Sequence, residues 1–537
     1  MGTQQPERRN RAKAIREDAA ELAFLRTPAV QLANGEETDY RNADNKLSFI
    51  ANHTKGLPHD NNGFVEPSAY ISLLTALTSC DPIDFENIPL GPTPLPAGRD
   101  LRRFANPQAG AAFDLQGPDN ASITIPPAPR IDGAENSAEM GELYWMALLR
   151  DVNFDDYDTD PTVEMAVTSL NTEFTDFRGP SPVTPNNLFR GFTPGDLVGP
   201  YISQFLLRGT AIKGLPVGEG RCAEDGFIQF GTLLIDQRQR TVAPGVDFMT
   251  DFSKWLDVQN GLDPASAGIV DCFDSKRRFI RNARDLGNYV HFDRLYQAYL
   301  NAGLLLLGIE APFDLGNPYN PLRSQNQEGF GTFGGDHILT LLTEVTTRAL
   351  QGIWHQKWFV HRRLRPEAFG GLIQLNMTGT PIPQINEEIL NSSVLGQIKG
   401  KTGTYLLPML FPEGSPMHPA YGAGHATVAG ACVTMLKAFF DESYELPEPY
   451  FVANNDGTAL KTISVSEPLT VGGELNKIAA NISIGRNMAG VHWRTDYTES
   501  VRLGEEIAIG ILQEQAATYN ENQFFSLTKF DGETIRI

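Results

Sequence analysis

The sequence predicts a mainly α protein, built from helical bundles behind an extended, proline-rich N-terminal arm. Apolar residues recur at three- and four-residue intervals through much of the second half, the spacing that places them on one face of a helix. The period-two alternation of a half-buried strand is scarce, and no internal repeat is visible. Ten prolines fall between Asp81 and Arg130, where they break regular elements and favour extended chain following a surface. This arm is expected to wrap its own core or a neighbouring subunit.

The 537 residues can bury a large core, and the expected division is into N-terminal helices plus arm over 1–135 and a helical-bundle catalytic domain over 136–537. With 41% hydrophobic and 20% charged residues the chain reads as globular. A net charge of -21 argues against nucleic acid or an anionic membrane as partner, because both would repel it at long range. The richest apolar run, 302–309, falls far short of the ~20 residues that span a bilayer. The N-terminus carries charge but no apolar signal-like core, so a soluble, cytoplasmic protein is the default expectation. Cys80, Cys222, Cys272 and Cys432 lack metal-ligand spacing and read as free thiols, Cys432 as a buried one.

In chain order, residues 11–26 and 67–78 have the pattern of short helices. Asn136 followed by Glu139 resembles a capping box opening a helix through Asp151, with Tyr144, Ala147 and Leu148 facing inward. From 160 to 268 the pattern is uninformative. A nearly unbroken stripe then joins Phe292, Leu295, Tyr296, Tyr299, Leu300, Gly303, Leu304 and Leu307, with Asp293 at its border. Ile338, Leu342, Val345, Ala349 and Ile353 mark one face of a helix over 337–364. Residues 426–440 are apolar nearly all round, which makes a core helix. Leu475, Ile478, Ala479 and Ile482 form another stripe, and Asp496 with Glu499 is expected to cap a last helix ending near Gln513.

Two stripes end on the wrong residue. Lys357 occupies the next position after Ile353, and Arg486 the next after Ile482. A cation on a buried stripe loses its hydration and needs an anion opposite. Around Lys357 the segment KWFVHRRLRP crowds further charge, and Pro366 turns Arg365 out of the helix. A solvated basic face is the plainer reading of such a run by itself. Gly422 and Gly424, however, lead into the core helix, whose first N–H groups are unpaired donors reinforced by the macrodipole. Lys357, Arg365, Arg486 and the backbone at Gly424, with His425 on the first turn, describe a tetrahedral oxyanion cradle within 280–515.

The order Lys357…Arg365-Pro366, Gly424-His425, Arg486…His492 resembles the three-part signature of vanadium-dependent haloperoxidases and the related acid phosphatases. The longer stretches KWFVHRRLRPEAFGG, HPAYGAGHATVAGACVTMLKAFFD and NISIGRNMAGVHWRTD are similar to the algal and cyanobacterial bromoperoxidase branch, as is GLPHDNNGFVEPSAY near the N-terminus. The resemblance therefore spans most of the chain. It implies vanadate as cofactor, with phosphate able to occupy the same site. His492 would bind the metal, and Lys357, Arg365, Arg486 and the Gly424 N–H would balance the oxygens. His425 would be the acid/base, Lys357 would polarise bound peroxide, and His418 is the bromoperoxidase-like choice at its position. Ala423 departs from the family, which usually has serine before Gly-His; the lost hydroxyl is worth about 1–3 kcal/mol if nothing replaces it.

The resemblance further implies hydrogen peroxide, a halide and a small organic acceptor as reactants, a large homo-oligomer such as a dodecamer, and a structural calcium site in 317–336. An ordinary polar loop is the alternative there. Residue by residue, other readings stay open. His492 could be a helix-end histidine, Asp496 an N-cap as readily as the partner of His492, and Asp293 is slightly favoured to pair with Arg486. His291, His337, His355 and His361 read as structural. At the level of function, an acid phosphatase with His492 as nucleophile, or a non-catalytic oxyanion-binding protein, would share the cradle. Halide preference rests on neighbours such as Gln356 and His418 and is not derivable from sequence.

Overall fold

The computed structural model describes residues 4–537 and is mainly helical. Gln4–Phe24 (α1) opens the chain and turns Ala12, Ile15, Ala19 and Ala23 inward while most of its other positions are exposed. Pro67–Ser79 (α2) starts on a proline and buries Tyr70, Leu73 and Leu77. The helices that shape the site follow: Ala134–Leu148 (α3), Ala283–Phe292 (α4), Gln297–Gly308 (α5), Gly335–His355 (α6), Pro366–Met377 (α7), Gly424–Phe439 (α8), Val471–Met488 (α9) and Arg494–Ala516 (α10). Four two-stranded antiparallel ribbons are the only sheets among the described residues, with 227–230 pairing 233–236 and 450–453 pairing 460–463, for example.

The core helix α8 is wrapped by α6, α9 and α10. Its crossing with α10 depends on two glycines. A Cβ on Gly430 would lie 2.0 Å from the Val501 carbonyl, and one on Gly504 would lie 2.0 Å from that of Thr427. The backbones thus approach with nothing between them, which fixes the depth of the α8 N-terminus. One large apolar core spans these helices and takes in Ile123 and Ile125 of the proline-rich stretch, so the arm lies against its own chain there. A smaller cluster around Phe49, Leu57, Tyr70 and Leu73 closes on Trp358, in the middle of the basic segment. The N-terminal residues are thereby anchored to the site.

Several local expectations need correction. The Phe292–Leu307 stripe is two helices, broken at Asp293, whose backbone is extended. Periodicity missed the break because Phe292, half-exposed at the end of α4, keeps the three-residue spacing to Leu295 across it. The helix expected over 337–364 is α-helical only to His355, continues as a π-helical turn from Gln356 to His361, and stops at Arg362 in the left-handed region. Such turns are frequent at functional sites because one extra residue rotates the side chains that follow. Neither predicted capping box caps its helix with the residue expected. The α3 N-cap is Gly133, and Trp493, not Asp496, precedes α10. In 317–336, the amides of Asn317 and Asn320 bond to the Phe333 and Phe313 carbonyls, and no cluster of three or more potential metal-binding His, Cys, Asp or Glu residues occurs among the described residues. No helix among the described residues is long and apolar enough to cross a membrane.

Candidate active site

The sequence-selected residues converge between the π-turn, the start of α7, the start of α8 and the α9–α10 junction. Lys357 is fully buried, and its Nζ donates to the carbonyls of Pro419 and Ala420 at 2.8 and 2.9 Å. Arg365 precedes α7 with extended backbone, as Pro366 requires. Its guanidinium donates to the His418 and Val491 carbonyls at 2.9 and 2.7 Å, to Nδ1 of His418 at 2.9 Å and to Nε2 of His492 at 3.0 Å. Arg486 donates to the Val290 carbonyl at 2.7 Å, leaves Nε unpartnered, and stands 5.2 Å from the Phe411 ring centre. None of these three buried cations forms an ion pair among the described residues.

Electrostatics follow from that crowding. Burial and the neighbouring Arg365 and Arg486 hold the Lys357 ammonium well below its ordinary pKa. Burial likewise brings Arg365 down to about 9, with Arg486 adding repulsion, and Arg486 down to about 10. His492 and His418 are held well below their ordinary values by burial and by the same cations, so both rings are neutral at pH 7. A group of buried cations with no carboxylate ion-paired to it is costly unless an anion completes it. The unpaired positive charge, together with the unpartnered Arg486 Nε, fits an oxyanion such as vanadate.

Two carboxylates orient the two histidines. Nδ1 of His492 bonds Oδ2 of Asp496 at 2.6 Å, which assigns the proton to Nδ1 and leaves the Nε2 lone pair facing the cations. Asp496 also accepts the Trp493 N–H and meets Arg363, so it serves both helix and histidine. Arg363 is held in turn by Asn136 and Glu139, the pair expected to cap α3. The other histidine, His425, lies on the first turn of α8 and bonds Asp293 Oδ1 at 3.0 Å through Nε2. The expected Asp293–Arg486 pair is replaced by this contact, because the α4–α5 break aims the carboxylate at α8. Ala423 is the α8 N-cap without any side-chain cap, and its N–H donates to Ser500 Oγ at 2.8 Å.

The remaining histidines divide. His291 pairs with Glu413 at 2.8 Å, His337 accepts the Phe333 N–H and meets Tyr519, and His355 lies against the Gly110 carbonyl, all structural arrangements. His361 is buried with both ring nitrogens unpartnered beside Tyr421. Sequence reasoning missed Trp354, whose ring lies 4.8 Å from that of His418, and His53, which comes from far upstream. Neither carries a periodic or charge signal of its own.

Comparison with known proteins places the chain in a family. Over its whole length the chain is 42% identical to the vanadium-dependent bromoperoxidase of Corallina officinalis, also covered completely. The chain belongs to the vanadium-dependent bromoperoxidase family. The bromoperoxidase of Ascophyllum nodosum is 34% identical, with 99% of this chain and 92% of the relative covered. The homohexameric structure of the second vanadate-dependent bromoperoxidase from the same alga superposes with a TM-score of 0.87 at 29% identity, covering 99% of this chain and 90% of that one. Residues 338–521 match the family described as the VCPO second helical-bundle domain. The bromoperoxidase fold and the cradle residues thus occur in one chain.

Proposed function

We propose that this chain is a vanadate-dependent haloperoxidase that oxidises bromide and iodide with hydrogen peroxide: halide, peroxide and one proton give hypohalous acid and water, and the acid halogenates small organic acceptors. The observation that carries the reading is the trio of buried cations Lys357, Arg365 and Arg486, none ion-paired with a carboxylate, around a neutral His492. Bound vanadate supplies Lewis-acid activation of peroxide without a change in oxidation state. His492 offers Nε2 as ligand because Asp496 occupies Nδ1. Lys357, Arg365, Arg486 and the first N–H groups of α8 offset the oxyanion charge. With Nε2 engaged by Asp293, His425 has Nδ1 free to accept and return the peroxide proton. Lys357 stands ready to polarise a peroxide oxygen, and His418 braces Arg365. The protein acts as a homo-oligomer, up to the dodecamer expected from sequence.

The test is bromination of a phenolic dye by vanadate-free protein titrated with orthovanadate, with phosphate as competitor. Activity should saturate with vanadate and fall with phosphate. Hydrolysis of a phosphate ester with no vanadate-dependent bromination would instead make the protein a phosphatase. In the same assay Ala423→Ser should tighten vanadate binding by about tenfold, since the restored hydroxyl can donate to an anion. An unchanged dissociation constant in equilibrium dialysis would mean that the cradle is already complete without that donor.

A further inference from the structure

A strap formed by residues 51–58, buried throughout, is wedged between the two stretches that supply Arg365 and His418. On one side it runs antiparallel to 362–364: the His53 N–H donates to the Arg362 carbonyl at 2.8 Å and the Leu364 N–H to that of Ala51 at 3.0 Å. On the other, Gly56 lies so close to Met417 that a Cβ would meet its methyl carbon at 2.4 Å. Of the four polar side chains along this stretch Thr54 and Lys55 are satisfied, while Asn52 Oδ1 is buried without a partner. Thr54 bonds His59 at 3.0 Å, and Lys55 reaches Glu367 at 2.9 Å and the Glu413 and Ser415 carbonyls at 2.8 and 2.7 Å.

His53 differs. It is 2% exposed, yet its Nε2 is buried with no hydrogen-bond partner. Its ring meets Trp358 edge-on at 5.9 Å, and the Trp358 indole nitrogen is buried without a partner as well. An indole N–H can only donate, and a buried donor left unpaired is costly, so an acceptor is called for here. Phe104 packs edge-on against the same indole, 5.5 Å from Trp358. Burial, reinforced by the cationic charges of Arg365, Lys55 and Lys357, holds its ring well below the ordinary pKa and neutral.

We propose that His53 and Trp358 form a halide seat beside the oxyanion pocket, in which the imidazole Nε2–H and the indole N–H hold the bromide or iodide that the reaction consumes. The assignment rests on the haloperoxidase function proposed above. Two N–H donors between aromatic walls suit a monatomic, weakly hydrated anion; a tetrahedral oxyanion needs donors on several sides and has them at Lys357, Arg365 and Arg486. The nearby guanidinium and ammonium lower the cost of burying the halide charge.

The experiment compares wild type with His53→Phe, His53→Gln and Trp358→Phe, all loaded with vanadate. Bromide binding is followed by tryptophan fluorescence without peroxide, and KM and kcat by bromination. His53→Phe, which removes the donor, should raise the bromide KM about tenfold, with the loss falling on KM more than on kcat and the vanadate Kd unmoved. His53→Gln keeps a side-chain N–H and should recover most of the affinity, while Trp358→Phe should weaken bromide as His53→Phe does. Unaltered bromide KM in both Phe variants would overturn the seat and leave a buried water as the partner. An equal fall in kcat and vanadate affinity at constant bromide KM would also overturn it, making the role structural. If wild type does not brominate, the functional reading fails; the seat is then decided by whether bromide quenches wild type more tightly than His53→Phe.

Discussion

His492→Ala should lose the advantage of vanadate over phosphate, and bromination with it. The ring is buried at the α9–α10 junction, its Nδ1 is occupied by Asp496 at 2.6 Å, and its Nε2 lies among Arg365, Lys357 and Arg486. Cations and backbone donors attract any oxyanion alike, whereas the His492 lone pair adds a bond that vanadium can accept. The variant should therefore still bind phosphate while vanadate gains nothing over it, and dye bromination should fall to the assay background. Equilibrium dialysis with both anions measures the first effect and initial rates the second. Vanadate-dependent turnover within about tenfold of wild type would remove His492 from the site.

Asp496→Asn is expected to have the next largest effect, a loss of about 10- to 100-fold in vanadate affinity. The carboxylate fixes which nitrogen of His492 carries the proton, and an amide can present N–H to the same nitrogen and favour the wrong tautomer. Asparagine keeps the shape, but Oδ2 takes both the His492 and the Trp493 bonds, so an amide nitrogen turned to His492 gives up the Trp493 N–H and the α10 start has to be followed beside the affinity. Arg363 keeps Glu139 at 2.7 Å, which limits the damage from the lost charge. The decisive comparison is the vanadate Kd against the urea unfolding midpoint. A shifted midpoint with an unshifted Kd would mean that Asp496 serves the helix alone.

Much of the site was legible because its residues break local rules. Lys357 and Arg486 stand where an apolar residue should continue a stripe, and Gly424-His425 opens a core helix. Each anomaly can be seen within a few turns of helix. The carboxylates were harder to place, because Asp496 and Asp293 are plausible as a helix cap and a stripe border. Their roles depend on what faces them across the fold. Asp293 reaches His425 only because a helix breaks at that residue, and both halves of the break keep the apolar spacing of one continuous stripe.

The sequence by itself determined the helical class, the buried cations, the candidate histidines and the proline-rich arm, since periodicity and proline chemistry act over short distances along the chain. Tertiary structure alone decided that the π-turn ends at a left-handed Arg362, that Asn136 and Glu139 support Arg363 instead of opening a helix, and that His53 lies beside the cradle. His53 belongs to no stripe and is more than three hundred residues from Arg365. Its environment is created by packing between distant segments, where burial and the field of three cations act together, and no local pattern encodes that meeting.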